Sequence, residues 1–217
     1  MNIFIKTPKL IQRLLSKLKW KIVTEEKVLY LTFDDGPTPE ITSWVIEQLN
    51  KYKAKATFFC IGKNVVNHME LYHLLHKEGH SIGNHTHNHL NAWKTDSKSY
   101  ISNIHLTESE LYTSLKDPDY IKLFRPPYGK LTPKTIRQIQ TMGYHIIMWD
   151  VLSVDYNTKL TPEKCWKNIK ENAKPGSIIV FHDSIKAFPR LQYALPKTLA
   201  YFSEKGFTFK AITKNSF

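Results

Sequence analysis

Two adjacent carboxylates, Asp34 and Asp35, sit between an alternating apolar run, Val28 to Phe33, and the pair Gly36-Pro37. Their like charges repel, and a metal ion, an arginine or a shared proton would remove that cost. Asp, Gly and Pro are also turn formers, so the stretch taken alone reads equally well as a plain turn. Elsewhere the chain offers the cations. His85 and His89 stand four residues apart. If the segment between them makes a helical turn, both imidazoles share one face and can bind one metal. Asp35 would complete a two-His, one-carboxylate set with positions left open for water and substrate. That set suits a divalent metal, Zn2+ first, with Co2+, Mn2+ or Fe2+ also fitting the ligand types. His87, between the two, is expected to point away.

The elements that must position these residues follow from periodicity. Strands are expected at Val28–Phe33, Ala56–Ile61, Ser81–Gly83, Ile121–Phe124, Tyr144–Trp149, Ser177–Phe181 and Phe207–Ile212. Helical stripes lie between them: Ile41/Val45/Leu49, Leu71/Leu74/Leu75, Ile101/Ile104/Leu111/Leu115 closed by Asp117-Pro118, Ile136/Ile139/Met142, Trp166/Ile169/Ala173 and Leu191/Leu195/Leu199/Phe202. Strands alternating with helices imply parallel βαβ units. Seven of them fit a closed or nearly closed β/α barrel better than a doubly wound open sheet. Just past the strands lie Asp34, Asp35, His85, Arg125, Asp150 with Asp155, and His182-Asp183. In a β/α barrel all these points share the C-terminal face, where such folds carry their active sites.

Composition bounds the rest. A chain of 217 residues with 41% hydrophobic content builds one sizeable core, and nothing demands two domains. The formal charge of +12 is spread along the chain, which reads as a solvated basic surface and not as a specific nucleic-acid footprint. Cys60 and Cys165 read as ordinary thiols with no disulfide framework. Met1–Trp20 lacks the pattern of a secretory signal, and no apolar run is long enough to span a bilayer, so a cytoplasmic location is the default expectation. Leu10, Ile11, Leu14, Leu15 and Leu18 recur at helical spacing with Lys9, Arg13, Lys17 and Lys19 between them. Residues 1–26 are thus expected to form a basic amphipathic segment that packs on the 27–217 domain; peripheral membrane contact through residues 9–19 is the alternative.

From about residue 27 to the end, the chain resembles the NodB-homology polysaccharide deacetylases, carbohydrate esterase family 4. The resemblance rests on Thr32-Phe33-Asp34-Asp35-Gly36-Pro37, His85-Thr86-x-x-His89, Arg125-Pro126-Pro127-Tyr128, Asp155 and Val180-Phe181-His182. Two departures stand out. The family's Asp-x-x-Asp-Trp is Leu152-Ser153-Val154-Asp155-Tyr156 here, and Val180 replaces the usual Leu. The resemblance implies a single-domain, distorted (β/α)7 barrel and metal-assisted deacetylation of a carbohydrate substrate. It makes Asp35, His85 and His89 the metal ligands and Asp34 the general base, with Arg125 holding Asp34 ionised. The backbone N–H of Tyr128 becomes an oxyanion donor, and His182 the general acid oriented by Asp155. The same apparatus serves O-acetyl esters and non-carbohydrate amides, and a catalytically silent carbohydrate-binding domain of this fold is the alternative reading.

Overall fold

A computed structural model describes residues 4–115 and 120–217. Among the described residues, the strands named below all pair in parallel. Seven strands follow one another around a curled sheet in the order β5-β4-β3-β2-β1-β7-β6. They are β1 (Val28–Asp34), β2 (Thr57–Cys60), β3 (Ser81–Asn84), β4 (Leu123–Phe124), β5 (His145–Ile146), β6 (Val151–Leu152) and β7 (Ile178–His182). The short β8 (Thr208–Phe209) adds to the N-terminal end of β1. Helices α2 (Ile41–Lys51), α4 (Met69–Lys77), α5 (Ser97–Leu115), α6 (Pro133–Thr141), α7 (Pro162–Asn172) and α8 (Phe188–Glu204) flank the sheet. The architecture is the distorted (β/α)7 barrel. Its seven strands differ from the expected seven, because the unforeseen β6 enters the path and the expected last strand is β8, off it.

Strand β1 shows how sequence becomes position. Leu29, Leu31 and Phe33 join the core beneath the helices, with Phe33 stacked between Phe58 at 4.9 Å and Phe181 at 5.8 Å. The alternate residues Val28 and Tyr30 join a second cluster with Phe59, Leu123, Ile147 and Ile178. Period-two alternation then places Thr32 and Asp34 with Val28 and Tyr30. The helices obey their stripes: Val45 and Leu49 of α2, Ile104 and Leu111 of α5 and Leu191, Leu195 and Leu199 of α8 are fully buried. Thr161 caps α7 by accepting the Lys164 N–H, with Pro162 in the first turn. Between β2 and α4 an extra short helix, α3 (Gly62–Asn67), appears where one helix was expected. The Asp117-Pro118 turn expected to close α5 lies outside the described residues, as does the Leu115 side chain.

Strands β5 and β6 are the two ends of the curled path, and the N-terminal segment spans the gap between them. The N–H groups of Lys19 and Met148 donate to the carbonyls of Ile146 and Lys19 at 2.9 and 2.7 Å. Leu152 N–H donates to Ile5 at 2.9 Å, and Thr7 N–H to Asp150 at 3.0 Å. Asp150 serves this join and not the site: its carboxylate accepts from Lys6 Nζ at 2.9 Å, Ser177 Oγ at 2.6 Å and Gln12 Nε2 at 3.3 Å. The expected apolar stripe divides. Leu18 and Trp20 are buried and Ile11 packs beside them, whereas Leu10, Leu14 and Leu15 of and after the six-residue α1 (Lys9–Leu14) face solvent.

Candidate active site

Asp34, the last residue of β1, is buried and meets Arg125 across the barrel at 2.7 Å. Arg125 follows β4, is wholly enclosed, and has every arm engaged. Nη1 donates to Asp34 Oδ1 and to Thr32 Oγ1 at 2.6 Å, Nη2 to the Met148 carbonyl at 2.9 Å, and Nε to the Ile147 carbonyl at 3.2 Å. Its guanidinium also lies 4.1 Å from the Phe59 ring centre. Burial alone pushes the Asp34 carboxyl up, but the facing Arg125 charge does most to outweigh it and hold the group below its usual range.

One residue on, the backbone turns sharply. Asp35 has φ 84°, in the left-handed region, so its side chain diverges from that of Asp34. Gly36 then passes so close to Asp183 that a Cβ would fall 2.0 Å from Oδ2, and its N–H donates to Asp183 Oδ1 at 3.0 Å. Asp183 also accepts from Thr42 Oγ1 at 2.6 Å, which ties the Asp35 turn to the start of α2. The turn suggested by Gly36-Pro37 therefore exists, and it aims two carboxylates in two directions.

The carboxylate of Asp35 approaches His89 Nε2 at 3.3 Å and His85 Nε2 at 3.8 Å. Ligand atoms of the three residues all lie within 4.8 Å of one another. The two histidines do not share a helical turn as expected. They occupy a loop in which Thr86 and His89 take φ values of 63° and 52°. Hydrogen bonds shape it: Asn84 Oδ1 accepts from Thr86 N–H at 2.8 Å, and Asn103 Oδ1 accepts from the His87 and Asn88 N–H groups at 2.8 and 2.9 Å. His87 takes no part in the cluster.

The donors fit a divalent ion. His85 Nδ1 donates to the Arg125 carbonyl at 2.7 Å, which leaves the Nε2 lone pair facing Asp35. Burial pushes the His85 pKa down to about 4, so the ring is the neutral ligand form near neutrality. His89 Nδ1 lies 3.1 Å from the Tyr128 hydroxyl, and burial lowers its pKa as well. Asp35 Oδ1 is buried yet has no hydrogen-bond partner among the described residues. A buried carboxylate oxygen without a partner is costly unless a cation faces it.

On the other side, His182 ends β7. Its Nδ1 donates to Asp155 Oδ1 at 2.7 Å, and its backbone N–H to Asp155 Oδ2 at 2.9 Å. Asp155 is fully buried, and its carbonyl accepts from Arg190 Nε of α8. Burial alone lowers the His182 pKa, but the Asp155 charge and hydrogen bond lift it to about 9. Tyr156, in place of the family's Trp, sits edge-on 5.0 Å from the His182 ring. Asp34, Asp35, His85, His89 and His182 open into one cavity of about 630 Å³, which is also lined by Tyr128, Trp149, Tyr156 and Val180. Tyr128 takes a left-handed φ of 59° at its rim and is exposed. Asn84, Asn103 and Arg190, which help hold these groups, carry no sequence signal beyond their polarity. Asp183 could be seen only as a neighbour of His182.

A parallel barrel that gathers a two-His, one-carboxylate cluster at its strand ends, between a depressed carboxyl and a raised imidazole, defines a metal-dependent hydrolase. The family model described as polysaccharide deacetylase matches residues 21–147, more than half the chain, and the protein belongs to that family. A peptidoglycan-N-acetylglucosamine deacetylase of Bacillus cereus is 33% identical over 197 residues, covering 90% of this chain and 91% of that one. A chitooligosaccharide deacetylase of Azorhizobium caulinodans is 31% identical over 163 residues, covering 75% of this chain and 77% of its own. A crystal structure of a peptidoglycan N-acetylglucosamine deacetylase superposes with a TM-score of 0.85 at 28% identity, covering 95% of each chain.

Proposed function

We propose that this enzyme removes acetyl groups from the N-acetylglucosamine units of a glycan, with Zn2+ held by Asp35, His85 and His89. The observation that carries the reading is the orphaned Asp35 oxygen among two Nε2 atoms, flanked by two ion pairs of opposite polarity. When bound, the ion supplies Lewis acidity toward water and the acetyl carbonyl. Asp34, kept ionised by Arg125, takes the proton of the attacking water. The Tyr128 backbone N–H donates to the carbonyl oxygen as it gains charge. His182, kept protonated by Asp155, delivers a proton to the departing nitrogen, without which an amine is a poor leaving group. Trp149, Tyr156 and Tyr128 supply the broad apolar faces of the cavity against which a sugar ring rests. Support for the substrate comes from the relatives named for deacetylating peptidoglycan and chitooligosaccharides.

The test is metal content and acetate release on N-acetylglucosamine oligomers, peptidoglycan and acetylxylan, for the wild type and Asp35→Ala. The expected outcome is about one ion per chain and N-deacetylation, both lost in the variant. Acetate release that survives chelation would overturn the mechanism. Bound metal with no release from any of the three would move the substrate to another amide.

A further inference from the structure

The N-terminal segment leaves a surface that deacetylation does not use. Leu10 and Leu14, one helical turn apart on α1, are 67% and 74% exposed, with Phe4 and Leu15 also in solvent. They cannot fold inward, because the segment is clamped on its other side. Thr7 bonds Asp150 and Trp149, Gln12 bonds Asp150, and Leu18 and Trp20 are buried. Cations alternate with the apolar residues along the segment. Residues 1–24 contain six Lys and Arg and no Asp or Glu. Of the six, Lys6 is engaged by Asp150, whereas Lys9, Arg13, Lys17 and Lys21 are exposed. A shallow depression of about 490 Å³ beside the leucines is lined by Lys9, Gln12, Arg13, Ser16, Lys19 and Lys21.

We propose that this face docks on the surface of an anionic phospholipid bilayer, with headgroup phosphates at the lysines and arginine and Leu10, Leu14 and Phe4 at the acyl boundary. Charge chooses the occupant. Two copies of so basic a face would repel one another if paired about a two-fold axis, while a lipid leaflet offers negative charge and an apolar layer at adjacent depths. Contact is peripheral, since no described helix is long and apolar enough to cross a membrane.

The experiment is flotation with phosphatidylcholine vesicles, with and without phosphatidylglycerol, at low and high salt. Wild type is expected to float only with the anionic vesicles and to be released by salt. Leu10→Glu/Leu14→Glu should weaken binding by about tenfold or more, since each change removes apolar contact and adds repulsion. Both positions are solvent-exposed, so melting temperature and acetate release from soluble oligosaccharides should stay unchanged. Lys9→Gln/Arg13→Gln should weaken the anionic binding without creating affinity for neutral vesicles. Absence of binding to anionic vesicles, equal binding to neutral ones, or retention by the Leu variant would overturn the proposal. So would a concentration-dependent dimer in light scattering that the Leu substitutions abolish, which would give the face to a second copy.

Discussion

The two ion pairs beside the Asp–His–His cluster use the same charges in reversed positions. In Asp34–Arg125 the carboxylate faces the cavity and the guanidinium is sealed behind it. In His182–Asp155 the imidazole faces the cavity and the carboxylate is sealed. The buried member of each pair stabilises the charged form of the facing member, so the Asp34 carboxyl is held ionised and the His182 imidazole protonated. The ends of two paired strands, β1 and β7, thereby keep opposite protonation states on neighbouring residues. The two facing groups differ in class, a carboxylate and an imidazole, and each is backed by a buried partner of opposite charge.

The contrast can be broken from either side. Replacing Asp34 with Asn leaves the shape and removes the proton acceptor; steady-state kinetics should show kcat falling by about 10²–10⁴, with metal content unchanged. Arg125→Met should be the most damaging change to the fold. It leaves Asp34 buried without a cation, so denaturant unfolding should show a loss of about 3–5 kcal/mol. The surviving activity should need higher pH, because the Asp34 pKa is no longer depressed. Unchanged stability would mean that Asp34 finds another partner.

Asp155→Asn is expected to be the mildest. In the wild type the His182 pKa is raised to about 9, above its ordinary value of 6.5. The pair's contribution to stability is therefore complete below about 6.5 and lost as pH climbs through about 9. The alkaline limb of kcat should follow the same raised group, and in the variant it should shift to lower pH. A limb that does not move would deny His182 the acid role.

How far the sequence could be read depended on the kind of residue. Asp34, Arg125 and His182 follow apolar runs directly, Asp35 comes one residue on, and residues at strand ends of a β/α barrel converge whatever the loops do. The loop holding His85 and His89 was not legible. Its left-handed Thr86 and His89 are set by Asn84 and Asn103, whose hydrogen bonds come from β3 and α5. Asp150 sits among carboxylates that serve the site, yet it tethers the N-terminus, because Lys6 and Ser177 reach it first. β6 is only two residues long, too short for any periodicity to reveal.

The sequence by itself determined the alternation of parallel strands and helices, the face on which the ionisable residues gather, and the ligand types available there. Side-chain period and residue chemistry are local properties, so they survive without coordinates. Only the tertiary structure decided that Asp150 joins the N-terminal segment, which oxygen of Asp35 is left unpaired, and which leucines of the N-terminal stripe are turned outward. Those outcomes depend on groups more than a hundred residues apart in some cases, as with Lys6 and Asp150. Long-range packing and hydrogen-bond competition settle them, and neither is written in a local pattern.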